Sequence, residues 1–180
     1  MSIDQPRPRF APAIRRMHWL IFSLVLLAYV FINLFDLFAK GSPTRANVLG
    51  AHYLVGLAVL LLILPRLALR LRGGRPPVTP APPRWSELLG KLTHVALYAF
   101  LLIQPILGVI TLQIEGKPVA LFGMTLLPSF VSQPDRALGH RFEDIHSTLG
   151  TVFYYVIALH ILAALWHHFG RRDDTLKRMV

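Results

Sequence analysis

Eight histidines stand in this chain of 180 residues, most of them inside or beside long apolar runs. Ionisable side chains are costly in hydrocarbon, so they usually face a bundle interior or a cavity. His146 and His160 share the last apolar run, fourteen residues apart. That spacing is close to four helical turns, so both point to nearly one face, about 21 Å apart along the axis. His18 opens the first run, and His52 lies near the start of the second. By depth, His146 pairs with His52 near one surface and His160 with His18 nearer the other. Each pair bridges two helices, which is how bundles build cofactor sites from facing side chains. Two facing imidazoles suit the two axial positions of a haem iron. Such an iron has no vacant site for oxygen and passes single electrons. Two other readings stay open: histidines that pack between helices and bond to hydroxyls, and a histidine path for a metal ion. Against the path, Asp and Glu are absent from all four runs.

The elements that must position these side chains follow from the apolar clustering. Residues 17–35, 46–65, 92–114 and 145–169 carry no charge. A helix needs about 20 apolar residues to cross a hydrocarbon core. The composition agrees, with 54% hydrophobic and 16% charged residues, too apolar for an ordinary soluble domain. The expected fold is an all-α membrane protein, a four-transmembrane-helix bundle enclosing two haems, as one domain over residues 1–180. The helices are expected at about 17–38, 47–71, 85–113 and 143–169, with Pro105 as a kink in the third. Residues 73–84 include five prolines and read as an extended linker, since proline cannot continue a helix. Residues 115–142 read as a loop. The first run is long, opens on His18 and Trp19, and lacks a small-residue cleavage site after it, so it reads as a span and not as a cleaved signal. There is no cysteine, which excludes disulfides, iron–sulfur clusters and covalently attached haem.

The net charge of +10 is a topology signal, not a nucleic-acid footprint. Fourteen cations lie on one side: Arg7, Arg9, Arg15 and Arg16 before the first helix, Arg66, Arg70, Arg72, Arg75, Arg84 and Lys91 between the second and third, and Arg171, Arg172, Lys177 and Arg178 after the fourth. The other side holds five: Lys40, Arg45, Lys117, Arg136 and Arg141. The positive-inside rule then sets both termini in the cytoplasm.

Several segments together resemble the bacterial cytochrome b561 family, in its short four-helix branch. They are Arg16-Met17-His18-Trp19-Leu20, His52 followed by Gly56, Pro65-Arg66-Leu67, Thr93-His94-Val95-Ala96-Leu97-Tyr98, the His146 and His160 pair, and His167-His168-Phe169 with the tail Asp173-Asp174-Thr175-Leu176-Lys177-Arg178-Met179. The similarity runs over nearly the whole chain. It implies haem ligands at His18, His52, His146 and His160, two haems b in the inner membrane, and exchange with the quinone pool. In one branch the resemblance implies oxidation of periplasmic superoxide and reduction of ubiquinone. In others it implies an electron-transfer subunit for a periplasmic redox partner. The segment Glu115-Gly116-Lys117-Pro118 with Phe122-Gly123 does not separate the branches.

The remaining polar residues have both a chemical and a plain reading. Quinone reduction takes up two protons, and His167, seven residues beyond His160 on a shared face, is the candidate catalytic residue that would carry them. The plain reading is an interfacial His kept wet. His168 has the same choice, and His94 either bonds a haem propionate or caps the bundle. His140 reads as a solvated loop residue. Arg15, Arg16, Arg66 and Arg70 lie where propionates or quinone meet the interface, but sorting alone explains most of them. The five outer cations are not required by sorting, and they would attract anionic superoxide. Glu115, Asp135, Glu143 and Asp144 dilute that field. Gly50, Gly56 and Gly150 near the histidines permit close packing, with or without a macrocycle.

Overall fold

The computed structural model describes residues 9–74 and 76–180; Arg7 and Arg75 of the cation count lie outside them. Four helices carry the fold: α1 over Pro12–Leu34, α2 over Pro43–Arg72, α3 over Arg84–Ile114 and α4 over Arg136–Leu165. All four are long and apolar enough to cross a membrane. α1 packs on α2, α2 on α3, and α3 on α4. Large side chains such as Leu20, Leu61, Tyr155 and Leu162 point outward, as expected where the surrounding solvent is lipid and not water. The interior is thin and includes Ile21, Val59, Ile63 and Phe153. Between α3 and α4, Phe100 and Phe153 stack with centroids 3.4 Å apart. The Tyr29 hydroxyl on α1 donates to the Gly150 carbonyl on α4 at 2.8 Å.

The helix starts have local causes. Pro12 and Pro43 open α1 and α2, where a missing amide hydrogen costs nothing. Ser42 Oγ accepts from the Arg45 amide at 3.2 Å, and Asp135 Oδ1 accepts from the Leu138 amide at 2.9 Å. Both are N-caps that satisfy an otherwise orphaned donor. The Asp135 cap corrects the expected start of the fourth helix, which begins at Arg136 and not near 143. His140 is thus a helical residue and not a loop one. α2 and α3 run continuously through Pro65 and Pro105.

The segment between α3 and α4 also holds a hairpin that the apolar pattern did not suggest. Strands β1, Val119–Leu121, and β2, Met124–Leu127, pair antiparallel. Phe122 and Gly123 turn between them at φ of +50° and +79°. β1 packs on α2 because Gly50 has no side chain. A Cβ there would collide with the Ala120 carbonyl oxygen. Replacing Gly50 by Val should therefore displace the hairpin and lower thermal stability, whereas Val at Gly41, which has φ of +81° but open space around it, should cost only backbone strain, about 1–2 kcal/mol.

Candidate functional site: two facing histidine pairs

His52 on α2 and His146 on α4 face each other with ring centroids 6.3 Å apart and planes at 90°. Each ring is held through one nitrogen. His52 Nδ1 lies 2.9 Å from the Ala28 carbonyl oxygen, and His146 Nδ1 lies 3.0 Å from that of Gln104. A carbonyl only accepts, so each Nδ1 carries the proton and each Nε2 keeps its lone pair. That is the tautomer of a histidine prepared to ligate through Nε2.

A cavity of about 550 Å³ opens beside this pair, within the roughly 300–1,000 Å³ of cofactor and ligand sites. Gly56, Gly108 and Gly150 line it. A Cβ on Gly108 would stand 3.3 Å from His146 Cε1, while one on Gly56 would meet nothing within 4 Å. Gln104 also lines the cavity. Its Nε2 donates to the His146 carbonyl at 2.6 Å, and its Oε1 is buried without a partner among the described residues. The pair fits a ligated metal in spacing too. A bound imidazole nitrogen sits about 2 Å from its ion and roughly 1 Å from its own ring centroid, so two such arms span about 6 Å.

His18 on α1 and His160 on α4 form the second pair, with centroids also 6.3 Å apart and planes at 78°. The depth matching made from sequence thus joins the same partners that the structure brings face to face. Two neighbours complicate this end. His94 on α3 sits edge-on to His160 at 5.6 Å between centroids, and its Nδ1 donates to the Gly90 carbonyl at 2.5 Å. Arg66 on α2 points Nη2 at His18 Nδ1 from 3.3 Å. A guanidinium only donates, so here His18 holds its proton on Nε2. It presents that nitrogen to a metal only once the Arg66 contact is released. Arg66 Nη1 donates to the Tyr98 hydroxyl at 2.5 Å. Sorting alone does not explain an arginine in that position. The signal for it was the pair Arg66 and Tyr98 within two of the conspicuous segments.

His167 lies in the π-helical turn Trp166–Gly170 that ends α4. Its Nδ1 donates to Asp173 Oδ2 at 2.5 Å, and its Nε2 lies 3.5 Å from Ser86 Oγ. The tail that supplies Asp173 is folded back under the bundle. Thr79 and Asp174 exchange bonds of 2.9 and 3.1 Å, the Phe10 amide donates to the Arg178 carbonyl at 3.2 Å, and Trp19 Nε1 donates to the Met179 carbonyl at 2.9 Å. Asp173, Asp174 and Arg178 are all buried. Burial pushes the Asp173 carboxyl up, but hydrogen bonds from His167 and Thr175 outweigh it and hold it below its ordinary value. A depressed carboxyl contributes stability that is full above its unfolded value of about 3.9 and is lost as pH falls through the lower folded value. Protease protection of the tail should therefore persist at about pH 5 and fail only in strong acid, and Asp173→Asn should weaken it at neutral pH.

Facing histidine pairs set at two levels of a four-helix membrane bundle are the arrangement from which such bundles build cofactor sites between their helices. The family model for prokaryotic cytochrome b561 matches residues 9–180. The chain belongs to the prokaryotic cytochrome b561 family, and is thus a multi-pass bacterial membrane protein of electron transfer. It is 33% identical to cytochrome b561 homolog 1 of Escherichia coli over 96% of this chain and 97% of that protein. It is 31% identical to the probable superoxide oxidase CybB of Yersinia pestis over 91% of each. Cytochrome b561 homolog 2 of Escherichia coli is 26% identical over 100% of this chain and 95% of that protein.

Proposed function

We propose that this protein is an inner-membrane superoxide:ubiquinone oxidoreductase with two haems b, one held by His52 and His146 and the other by His18 and His160. A haem held by two histidines supplies one-electron transfer without an open site for oxygen. The observation that carries the reading is the outer pair, with both Nδ1 atoms bound to carbonyls beside a cavity of cofactor size. The likeness to a probable superoxide oxidase supports the substrate. The overall reaction balances as two superoxide anions, one ubiquinone and two protons giving two oxygen molecules and one ubiquinol. His167 is the proton carrier for the quinone: Asp173 fixes the proton on Nδ1, and Nε2, whose partner is Ser86 Oγ at 3.5 Å, is the nitrogen that exchanges one. Both termini lie in the cytoplasm, so a reporter fused after Val180 should read as cytoplasmic.

Superoxide crosses hydrocarbon poorly, so it must be met at the outer face. Not all five outer cations are free to draw it in. Arg45 is bound to Asp36 at 3.0 Å and to two backbone carbonyls. Lys117 pairs with Glu115 at 2.7 Å but keeps an exposed ammonium at the cavity rim. Steering by such charges is screened over about 8 Å at physiological salt. The rate of reaction with superoxide should fall as salt rises, and charge reversal at Lys117, Arg136 and Arg141 should lower it further at unchanged haem content. The decisive experiment is stopped-flow mixing of the oxidised protein with superoxide, followed at its b-type absorption. Rapid reduction supports the reading. If superoxide fails and ubiquinol reduces the protein, an electron-transfer subunit for a periplasmic redox partner replaces it.

A further inference from the structure

Beside the outer cavity lies a cluster that the redox reading does not use. We propose that Glu115, His140 and Glu143 form a binding site for one divalent transition-metal ion of the zinc type, open to the outer aqueous phase. Each offers one ligand atom, and the three atoms lie within 4.8 Å of one another. His140 Nδ1 is 3.3 Å from Glu143 Oε2 and 3.9 Å from Glu115 Oε1. Ligands at about 2.0–2.2 Å from a tetrahedral zinc stand roughly 3.3–3.6 Å apart, so His140 and Glu143 already have that spacing and the widest pair must close by on the order of 1 Å.

The scaffold holds these groups in place. His140 and Glu143 are three residues apart in the first turns of α4, and i,i+3 neighbours share a helix face. The same His and Glu spacing supplies ligand pairs in helical metal sites. Glu115 comes from the end of α3, where its amide donates to the Thr111 carbonyl at 3.0 Å. Its side chain is only 4% exposed. It reaches α4 because residue 139 is glycine: a Cβ there would collide with Glu115 Cγ. Lys117 occupies Glu115 Oε2 at 2.7 Å, which leaves Oε1 for an ion. Two carboxylates against one ammonium leave a net negative site. His140 and Glu143 are exposed, so an ion can enter from water and keep water in its remaining position. One imidazole nitrogen with carboxylate oxygens suits zinc better than magnesium, which demands six oxygens and holds its waters.

The test uses the full-length protein in detergent with its haem retained, dialysed to equilibrium against micromolar zinc at neutral pH, with metal counted per chain. Zinc should bind at about one ion per chain and resist millimolar magnesium. His140→Ala and Glu143→Gln should each weaken it by at least about tenfold. Both side chains are exposed, so these variants should fold even where Glu115→Gln does not. Zinc retained equally by both variants would mean that other histidines bind it, and the proposal would be overturned. Absence of zinc binding by the unmodified protein would overturn it as well.

Discussion

His146→Ala is expected to lose one haem and keep the other, so that haem per chain falls by about half. The reason is geometric. His146 faces His52 at 6.3 Å, its ring is fixed by the Gln104 carbonyl, and the absence of a side chain at Gly108 leaves room for it. No other described histidine is in ring contact with His52, so nothing replaces the missing ligand at that level. The same loss should follow from Gly108→Leu, where the histidine stays but the added side chain enters the space beside His146 Cε1. His140→Ala should leave haem content unchanged, because His140 sits in the Glu115 and Glu143 cluster. Pyridine haemochrome assays on detergent-purified variants measure this directly. Haem content unchanged by His146→Ala would remove His146 as a ligand.

The other level should respond differently. His160→Ala removes the ring that both His18 and His94 face and should lose its haem outright. His18→Ala leaves His94 beside His160 with its Nδ1 already tied to a carbonyl, so partial haem retention with an altered absorption band is the expected outcome. Arg66→Leu frees His18 Nδ1 from a donor and should change the midpoint potential of that haem more than its occupancy.

The histidine pairs were legible in sequence because two simple rules locate them. Helical period sets His146 and His160 on one face, and distance from each run's end sets the depth of His18 and His52. What lay outside those rules was missed. Arg136, Arg141, Glu143 and Asp144 interrupt the apolar pattern, so the first two turns of α4 looked like loop although Asp135 caps them. A helix need not stop where the hydrocarbon does. Residues 119–127 are apolar without helical or clear alternating period, and the hairpin depends on Gly50, seventy residues away. Arg66 read as a sorting charge because sequence shows its number and sign but not that it turns inward to His18. The tail Asp173 to Met179 stood out as a conspicuous motif. Its partners lie about a hundred residues or more away, Thr79 in the linker, Phe10 ahead of α1 and Trp19 within it, and sequence alone does not bring them together.

That tail governs the last expected effect. His167→Ala should slow ubiquinone reduction by about 10²-fold, the lower end of what a positioned acid or base supplies, while reduction of the protein by superoxide stays at its normal rate. On the proposed function the two steps are separable because they depend on opposite ends of the bundle: superoxide would meet the cavity beside His52 and His146, and His167 lies at the far end of α4, beyond His160. On the proposed function, Asp173 would act on the quinone step through His167, whose Nδ1 it holds at 2.5 Å. Asp173→Asn keeps the shape but offers either an oxygen or an amide to that nitrogen, so the tautomer is no longer fixed. It should lower the quinone step less than His167→Ala does and shift its pH profile. A merely structural role for Asp173 would lower the rate equally at every pH. Single-turnover measurements distinguish these outcomes, with superoxide-driven reduction read in the first phase and reoxidation by a soluble ubiquinone in the second. Loss of the first phase in His167→Ala would put that residue on the superoxide side of the reaction, and an unchanged second phase would remove it from proton transfer.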